Sequence, residues 1–490
     1  MKRVGLIAAV VIPGCLVGFV EFGESPVLAR MAAVAVMMAI LWVTEAIPLA
    51  ATALLPLILF PLLGIASGKV VAGQYMNSTV FLLVGGFMIA LAMQRWNLHK
   101  RIALAILVRF GTRPTRLMLG FIIATAGLSM WISNTATTLV MLPIALAILS
   151  RFEQTISGDE ARRFSVGLLL AIAYSASIGG MMTPVGTAPN MVFLRAYEIG
   201  SEGVESIGFA RWMLMTMPIG ALMLTATAFY LGMRFVRKIP ASAAIHQVVI
   251  EEQRRLGPVR YEEKVVLAVF AITAFLWVTR KDLQLGSMVF PGWQQMVVFG
   301  GLFDDGTIAI GMSLLLFLIP AHNRDGTRTC ILDESVFLQL PWPVVILFGG
   351  GFALAFGFVE SGLSGYLAGR LQGLEQAGLV PMIAAVTTGM TFLTELTSNT
   401  ATTQLVLPIL KSVAEAMNLS PLWLMLPATL AASCAFMFPV ATPPNAIIFG
   451  SGKLHVIDMV KTGLVLNLAG IVIIATVILF VVPALFGVDA

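Results

Sequence analysis

The sequence predicts an all-α polytopic membrane protein, and three observations carry that prediction. Of the 490 residues, 58% are hydrophobic and only 11% are charged, whereas soluble domains carry roughly 25% charged residues. The apolar residues form continuous runs of about 20 residues, the length that a helix needs to cross a bilayer. Membrane barrels alternate apolar and polar residues instead. Finally, the chain contains one polar motif twice, each time inside such apolar runs.

The repeated motif is Ser133–Thr138, which recurs letter for letter as Ser398–Thr403. The Leu-Pro-Ile triplet that follows, Leu142–Ile144, recurs at the same distance as Leu407–Ile409. Inside hydrocarbon every unsatisfied polar group is costly. A chain that places hydroxyls and a carboxamide at membrane depth twice is therefore predicted to hold a polar ligand with them.

Apolar runs and the charges between them predict about eleven transmembrane helices and two re-entrant hairpins. An extra N-terminal span occupies residues 1–27, and a first repeat follows at 28–238. A charged cytoplasmic linker at 239–263 leads to the second repeat, 264–490. Basic residues at 95–116 and in the linker mark the inner face, which places the N-terminus inside and the C-terminus outside. The acidic residues that mark outer loops are Glu21, Glu24, Glu198, Glu202 and Glu205.

Each repeat contains an apolar stretch with a polar centre, followed by a broken helix. The first stretch, about 117–150, begins and ends beside inner basic segments, which favours a re-entrant inner hairpin, although two full spans would also fit its length. Its counterpart is an outer hairpin at about 380–414. Prolines break the following helices at Thr183–Asn190 and Pro439–Asn445. Hairpins that enter from opposite faces predict an inverted repeat, a signature of secondary transporters.

These polar segments suit an anion bound together with cations. Broken helices leave N–H and C=O groups without intrahelical partners. Carbonyls and hydroxyls are hard oxygen ligands for an alkali cation, while helix N-termini favour an anion. The duplication predicts two cation sites that flank one anion. Since no Lys or Arg lies within either motif, a dianion bound there needs cations with it.

The motifs resemble those of the divalent anion–sodium symporter (DASS) family, over nearly the whole chain. The residues that carry the resemblance are Thr44–Pro48, Ser133–Thr135, Gly186–Asn190, Ser398–Thr400 and Ala441–Asn445. The stretch Ser433–Asn445 is especially similar to bacterial dicarboxylate members. The resemblance implies a homodimer in the inner (plasma) membrane that imports C4-dicarboxylates such as succinate together with Na⁺. It also implies an elevator motion of a transport domain against a scaffold.

The resemblance further implies which residues hold the ligands. The first sodium site would comprise Ser129, Ser133, Asn134 and the carbonyl of Gly186. The second would comprise Thr394, Ser398, Asn399 and the carbonyl of Ala441. The substrate would meet Asn134, Thr135, Asn399 and Thr400, with Thr187, Thr442 and Pro443 nearby. One departure from the family pattern is Ala188, where many relatives have a second proline to match Pro443.

Other hypotheses remain open at this point. A sodium-independent dicarboxylate/anion exchanger is the main alternative. The family resemblance implies that exchangers carry basic residues near the sodium positions, and this chain has none there. An intramembrane enzyme would need a nucleophile–base pair or a metal-ligand cluster at depth, and a channel would need an open pore.

Proton coupling would need a titratable group. Near the motifs only Glu395 qualifies, with Glu45 further off, and Glu395 is expected to be structural. The formal charge of +5 follows from the positive-inside bias, so no nucleic acid partner is predicted.

Overall fold

The structure, a computed structural model, describes residues 2–19, 25–110, 113–155, 158–200, 206–236, 243–285, 288–322, 327–370 and 378–487. Within these ranges, seven helices are long and apolar enough to cross a membrane by length and composition, and five shorter apolar helices accompany them. The predicted all-α polytopic membrane fold is confirmed, while the count of eleven spans stays a prediction. The outer-loop markers Glu21, Glu24, Glu202 and Glu205 lie outside the described residues.

In its described ranges, the first half of the chain forms helices and no strands. Its helices are α1 (Lys2–Phe19), α2 (Pro26–Thr44), α3 (Leu49–Ala53), α4 (Leu55–Leu62), α5 (Gly68–Tyr75), α6 (Ser78–Arg95), α7 (Leu98–Phe110), α8 (Pro114–Ser129), α9 (Asn134–Thr155), α10 (Asp159–Gly180), α11 (Ala188–Glu198) and α12 (Phe209–Leu231). A π-helical turn at Gly232–Val236 extends α12. Proline at the first position starts α2 and α8, where its missing N–H has no intrahelical partner to lose.

Within its described residues, the second half adds eleven α-helices and two short strand pairs. The helices are α13 (Ala243–Arg255), α14 (Tyr261–Val278), α15 (Asp305–Leu318), α16 (Ser335–Gln339), α17 (Trp342–Glu360), α18 (Leu363–Arg370), α19 (Leu379–Thr394), α20 (Asn399–Ala416), α21 (Leu422–Ala432), α22 (Pro443–Phe449) and α23 (Val456–Phe486). Two antiparallel pairs, β1 (Leu283–Leu285) with β2 (Met288–Phe290) and β3 (Pro320–His322) with β4 (Arg328–Cys330), flank α15 in the chain. The charged linker thus contains a helix, α13.

The two halves place the same kinds of element in the same order. The helix pair α8 and α9 is interrupted at residues 130–133, and the pair α19 and α20 at residues 395–398. We call these two interruptions the first tip and the second tip. A helix follows each pair (α10 and α21), then a non-helical segment, a short helix (α11 and α22) and a long apolar helix (α12 and α23). We call the two non-helical segments, Met181–Thr187 and Ser433–Thr442, the first break and the second break.

Glycines bring helices of the two halves close together away from the tips. A Cβ at Gly85 of α6 would lie 2.6 Å from the backbone of Ala309 in α15. A Cβ at Gly350 of α17 would collide in the same way with the backbone of Ala53 in α3. These glycines therefore serve the close approach of helix backbones.

The two basic regions predicted to share the inner face are in contact. The Nζ atom of Lys100 in α7 lies 3.1 Å from a carboxylate oxygen of Glu252 in α13. Arg101, the next residue of α7, donates to Glu263 at the start of α14 at 3.1 Å. The linker helix therefore packs beside the basic segment that follows α6.

The C-terminal end of α6 is held by an ion pair to a loop. Arg95 lies 2.6 Å from Asp333, in the loop that precedes α16. Hydrogen bonds from Arg95 and from the Ser335 side chain lower the pKa of Asp333 to about 2. The carboxylate is therefore ionised at neutral pH and fixes this end of the helix.

Candidate functional site

One cavity of about 1110 Å³ collects polar groups from both halves of the chain. Both tips, both breaks and the first turns of α9, α11, α20 and α22 contribute to its wall. The sequence-predicted site residues in this wall are Ser133, Asn134, Thr135, Gly186, Thr187, Ser398, Asn399, Thr400, Ala441, Thr442 and Pro443. Two distant copies of one motif thus meet at a single site.

The polar motif itself determines where α9 and α20 begin. The first helical residues are Asn134 and Asn399. In α9 the Ser133 hydroxyl accepts a hydrogen bond from the N–H of Ala136 at 3.3 Å, as an N-cap does. The first N–H groups of a helix lack intrahelical partners. Because these first turns line the cavity, they favour an anion there.

Ser129 and Thr394 do not line the cavity but lie buried behind its wall. The Ser129 hydroxyl lies 2.6 Å from Oδ1 of Asn134 and 2.7 Å from the carbonyl oxygen of Ala176. The Thr394 hydroxyl lies 2.5 Å from Oδ1 of Asn399 and 2.9 Å from the carbonyl oxygen of Ala432.

Each of these hydroxyls has a single proton but two acceptors within hydrogen-bond distance. Each hydroxyl can therefore donate to only one of its two acceptors at a time. A hydroxyl and two carbonyl oxygens are neutral hard ligands, which suit an alkali ion better than a soft metal. The donor sets of both predicted sodium sites thus fit Na⁺ as a transported ion.

Two asparagines that the sequence analysis did not single out as ligands hold the breaks in place. The side-chain amide of Asn190 donates to the carbonyl oxygens of Gly180 at 3.0 Å and Thr183 at 2.7 Å. The amide of Asn445 donates to Ala435 and to Phe438, each at 3.0 Å. Both residues end the helix-breaking motifs, so their positions in the motif were a usable signal.

The Glu395 carboxylate is buried, with 2% of its surface exposed, and receives four hydrogen bonds. The backbone N–H groups of Phe436, Met437 and Phe438 donate to it at 2.7, 2.8 and 3.1 Å. The side-chain amide of Asn467 in α23 donates at 2.7 Å. This pattern agrees with the expected structural role and ties the second tip to the second break.

The predicted substrate-binding residues differ in what they can offer. Thr135, Thr187 and Thr400 are partly exposed to the cavity. Thr442 is 4% exposed, and its hydroxyl accepts a hydrogen bond from the N–H of Asn445 at 3.3 Å, capping α22. Pro443 has no N–H and contributes only apolar contact. The first three therefore present the more accessible hydroxyls.

The N-terminal helix forms part of the cavity wall, which the sequence analysis did not foresee. Val4, Gly5 and Ala8 of α1 line the cavity beside Thr44 and Glu45. A Cβ at Gly5 would lie 2.8 Å from Cβ of Thr44, so glycine permits this close packing. The predicted extra span therefore contributes to the site.

The cavity is nearly free of ionisable side chains. Among its described lining residues, Glu45 and Glu395 are ionisable, and none is a lysine or an arginine. An anion in this cavity would meet hydroxyls, carboxamides and helix N-termini rather than a cationic side chain. Its charge would therefore have to be balanced by mobile cations.

Comparisons with known proteins agree with this architecture. Residues 2–488 match the sodium:sulfate symporter transmembrane region. The chain is 43% identical over 453 residues to the sodium-dependent dicarboxylate transporter SdcS of Staphylococcus saprophyticus, covering 91% of this chain and 85% of the relative. It is 42% identical over 458 residues to SdcS of Staphylococcus aureus strain USA300, with the same coverage.

Two solved structures share the fold at low sequence identity. The YdaH transporter of Alcanivorax borkumensis matches with a TM-score of 0.56 and 13% identity, over 85% of this chain and 88% of that chain. MtrF of Neisseria gonorrhoeae, described as belonging to a class of antimetabolite efflux pumps, matches with a TM-score of 0.54 and 13% identity, over 84% of each chain. The predicted resemblance is confirmed: the chain belongs to the sodium:sulfate symporter family, whose members are membrane transporters and not enzymes.

Proposed function

We propose that this protein is a sodium-coupled symporter that imports C4-dicarboxylates such as succinate. The observation that carries the proposal is the single cavity at which both motif copies meet, with no lysine or arginine among its described lining residues. A dicarboxylate brings two negative charges into a low-dielectric environment, where uncompensated charge is costly. Two sodium ions would balance that charge and allow the loaded site to cross.

We assign the ligands as the sequence analysis expects. The first sodium ion would be held by Ser129, Ser133, Asn134 and the carbonyl of Gly186. The second would be held by Thr394, Ser398, Asn399 and the carbonyl of Ala441. The groups around Ser129 and Thr394, each of one hydroxyl and two carbonyl oxygens, support this assignment. Between them, the substrate carboxylates would meet Asn134, Thr135, Asn399 and Thr400, with Thr187, Thr442 and Pro443 at the margins.

Relatives at 42–43% identity that carry the name sodium-dependent dicarboxylate transporter support both the coupling ion and the substrate class. The family description names sulfate as a substrate, so sulfate is the competitor to test. A sodium-independent exchanger is the second candidate function. The lack of lysine and arginine among the described lining residues disfavours it, because an exchanger that carries dianions without sodium needs fixed positive charge at its site.

We extend the proposal to assembly, placement and motion. The protein would be a homodimer in the inner membrane, with its N-terminus in the cytoplasm and its C-terminus outside, and would move its site by an elevator motion. The contact between α7 and the linker helix supports a shared inner face for both basic regions. In a cysteine-free background, Ile250→Cys and Gly203→Cys are expected to react with an impermeant thiol reagent from opposite sides. Reaction of both from one side would contradict the inverted repeat.

The function is tested by uptake of labelled succinate into proteoliposomes. Uptake is expected to follow an inward sodium gradient and to stop when potassium replaces sodium, even with a proton gradient imposed. Unlabelled fumarate or malate should compete more strongly than citrate or sulfate. Full uptake in sodium-free buffer, driven by protons or by a counter-anion, would refute symport and favour the exchanger.

A further inference from the structure

We infer that Glu395 is a positioning residue that makes the second sodium site bind sodium more tightly than the first. This inference rests on the proposed function. The Glu395 carboxylate joins the two chain segments that carry the proposed ligands of the second site. It follows Thr394 directly in the second tip, and its backbone donors, Phe436 to Phe438, lie in the second break just before Ala441.

The need for this link arises from the length of the second break. The first break, 181–187, contains seven residues, whereas the second, 433–442, contains ten. In a continuing helix the N–H groups of residues 436–438 would donate to carbonyls four residues earlier. Here they donate to the Glu395 carboxylate, so the longer unwound segment stays fixed to the tip.

The first half has no equivalent carboxylate. Met130 occupies the position of Glu395, three residues before the repeated Ser-Asn-Thr motif. There the tip and the break are joined by a neutral bond, in which the Thr183 hydroxyl donates to the Met130 carbonyl oxygen. The two sites thus share ligand types, but in the second half a carboxylate joins the tip to the break and adds a negative charge next to Thr394.

That charge favours sodium at the second site for two reasons. The carboxylate accepts four hydrogen bonds from N–H donors, the pattern of an ionised group. A fixed negative charge attracts a cation strongly in surroundings of low dielectric constant. The same bonds hold the second break in place before the ion arrives, which reduces the ordering cost of binding. The second site therefore fills at lower sodium concentration than the first.

The inference is tested with purified full-length protein in detergent, titrated with sodium against a choline background without substrate. Tryptophan fluorescence and the thermal unfolding midpoint report binding. Glu395→Gln is expected to raise the sodium concentration for half-saturation about tenfold, the scale of one lost buried charged partner. Met130→Gln, the matched change in the first tip, should leave the sodium concentration for half-saturation within about twofold of the wild-type value. At saturating sodium, Glu395→Gln should still bind succinate with saturation, which a general folding defect would abolish.

Wild-type sodium affinity in Glu395→Gln, or an equal shift in Met130→Gln, would overturn the inference. If Glu395→Gln does not fold, Asn467→Ala carries the test, because it removes only one of the four donors. A rise of about threefold in the sodium requirement is then expected, and an unchanged requirement would overturn the inference. A wild-type protein that shows no sodium dependence would instead refute the proposed function.

Discussion

The two halves carry the same six-residue motif, Ser133–Thr138 and Ser398–Thr403, but they hold their tips in place by different means. In the first half, Ser129 contacts Asn134, and in the second half Thr394 contacts Asn399, with nearly equal distances. Beyond this pair the halves diverge, because a hydroxyl–carbonyl bond holds the first break and the Glu395 carboxylate holds the second. The proposed ligands are thus duplicated, whereas the bonds that hold each tip to its break, which we call the supports, differ between the halves. Variants of matched positions can therefore separate ligand roles from support roles.

The largest effect is expected when the shared carboxamides are removed. Asn134→Ala and Asn399→Ala each delete a proposed ligand of both sodium and substrate, together with the carboxamide oxygen that contacts Ser129 or Thr394. A lost buried partner costs roughly 1–3 kcal/mol, so succinate uptake should fall at least tenfold in both variants. The measurement is initial-rate uptake in proteoliposomes, with the unfolding midpoint as the control for folding. Wild-type uptake by both variants would place the site elsewhere.

A smaller effect should separate the halves at one glycine. A Cβ at Gly180 would collide with Oδ1 of Asn134, whereas the matching position in the second half, Ala435, already carries a Cβ. Gly180→Ala should therefore displace the Asn134 amide and lower uptake about fivefold, on the scale of one weakened buried hydrogen bond. Ala435→Gly is expected to stay close to wild-type uptake. Equal effects of the two substitutions would show that this packing difference does not reach the site.

At positions 129 and 394 we expect the buried hydroxyl to be required, whether a serine or a threonine carries it. Ser129→Ala and Thr394→Ala remove the contact to the carboxamide and should each raise the sodium requirement about fivefold, for roughly 1 kcal/mol lost. Ser129→Thr and Thr394→Ser keep the hydroxyl and should remain within about twofold of wild type. Sodium titration of uptake distinguishes these outcomes. If the alanine variants keep wild-type sodium affinity, neither hydroxyl is a ligand.

The smallest effect on transport is expected at Lys411, a support that only the second half has. Its buried ammonium donates to the carbonyl oxygens of Tyr197 at 3.1 Å and of Ile199, at the C-terminal end of α11. The matching residue in α9 is Leu146. A cation at this end of a helix is stabilising, so Lys411→Met should lower the unfolding midpoint by a few degrees and change uptake less than twofold. Lys461→Met, at an exposed position, is the control, and an equal loss of stability there would contradict this role.

The sequence was sufficient to predict the residues that meet in the cavity, because their chemistry is written in short motifs. Eleven of the thirteen predicted site residues line its wall, and the other two, Ser129 and Thr394, lie directly behind it. The repetition is the strongest signal, because a polar segment that is costly to bury in a membrane and occurs twice indicates one function for both copies. That the two copies meet in one cavity depends on the packing of distant helices, which neither motif by itself predicts.

The supports could not be predicted, because they join residues far apart in the chain. The sequence shows Glu395 as a titratable group near the second motif, but its donors at residues 436–438 and at Asn467 become neighbours only on folding. The linker helix α13 was not predicted, because the many charged residues of this segment were interpreted as a linker. The spacing of Ile245, Val248 and Val249 is that of one helix face and could have revealed it. The contribution of α1 to the cavity wall has no local sequence signal.

The central claim, that both halves bind a sodium ion with each substrate, is tested most directly by the ratio of the two fluxes. Proteoliposomes that contain the purified protein take up labelled sodium and labelled succinate in parallel, and the initial rates are divided. The two matched sets of oxygen ligands predict at least two sodium ions per succinate and a sodium dependence steeper than first order. A ratio of one, with a first-order sodium dependence, would contradict the account, because one of the two halves would then carry no ion.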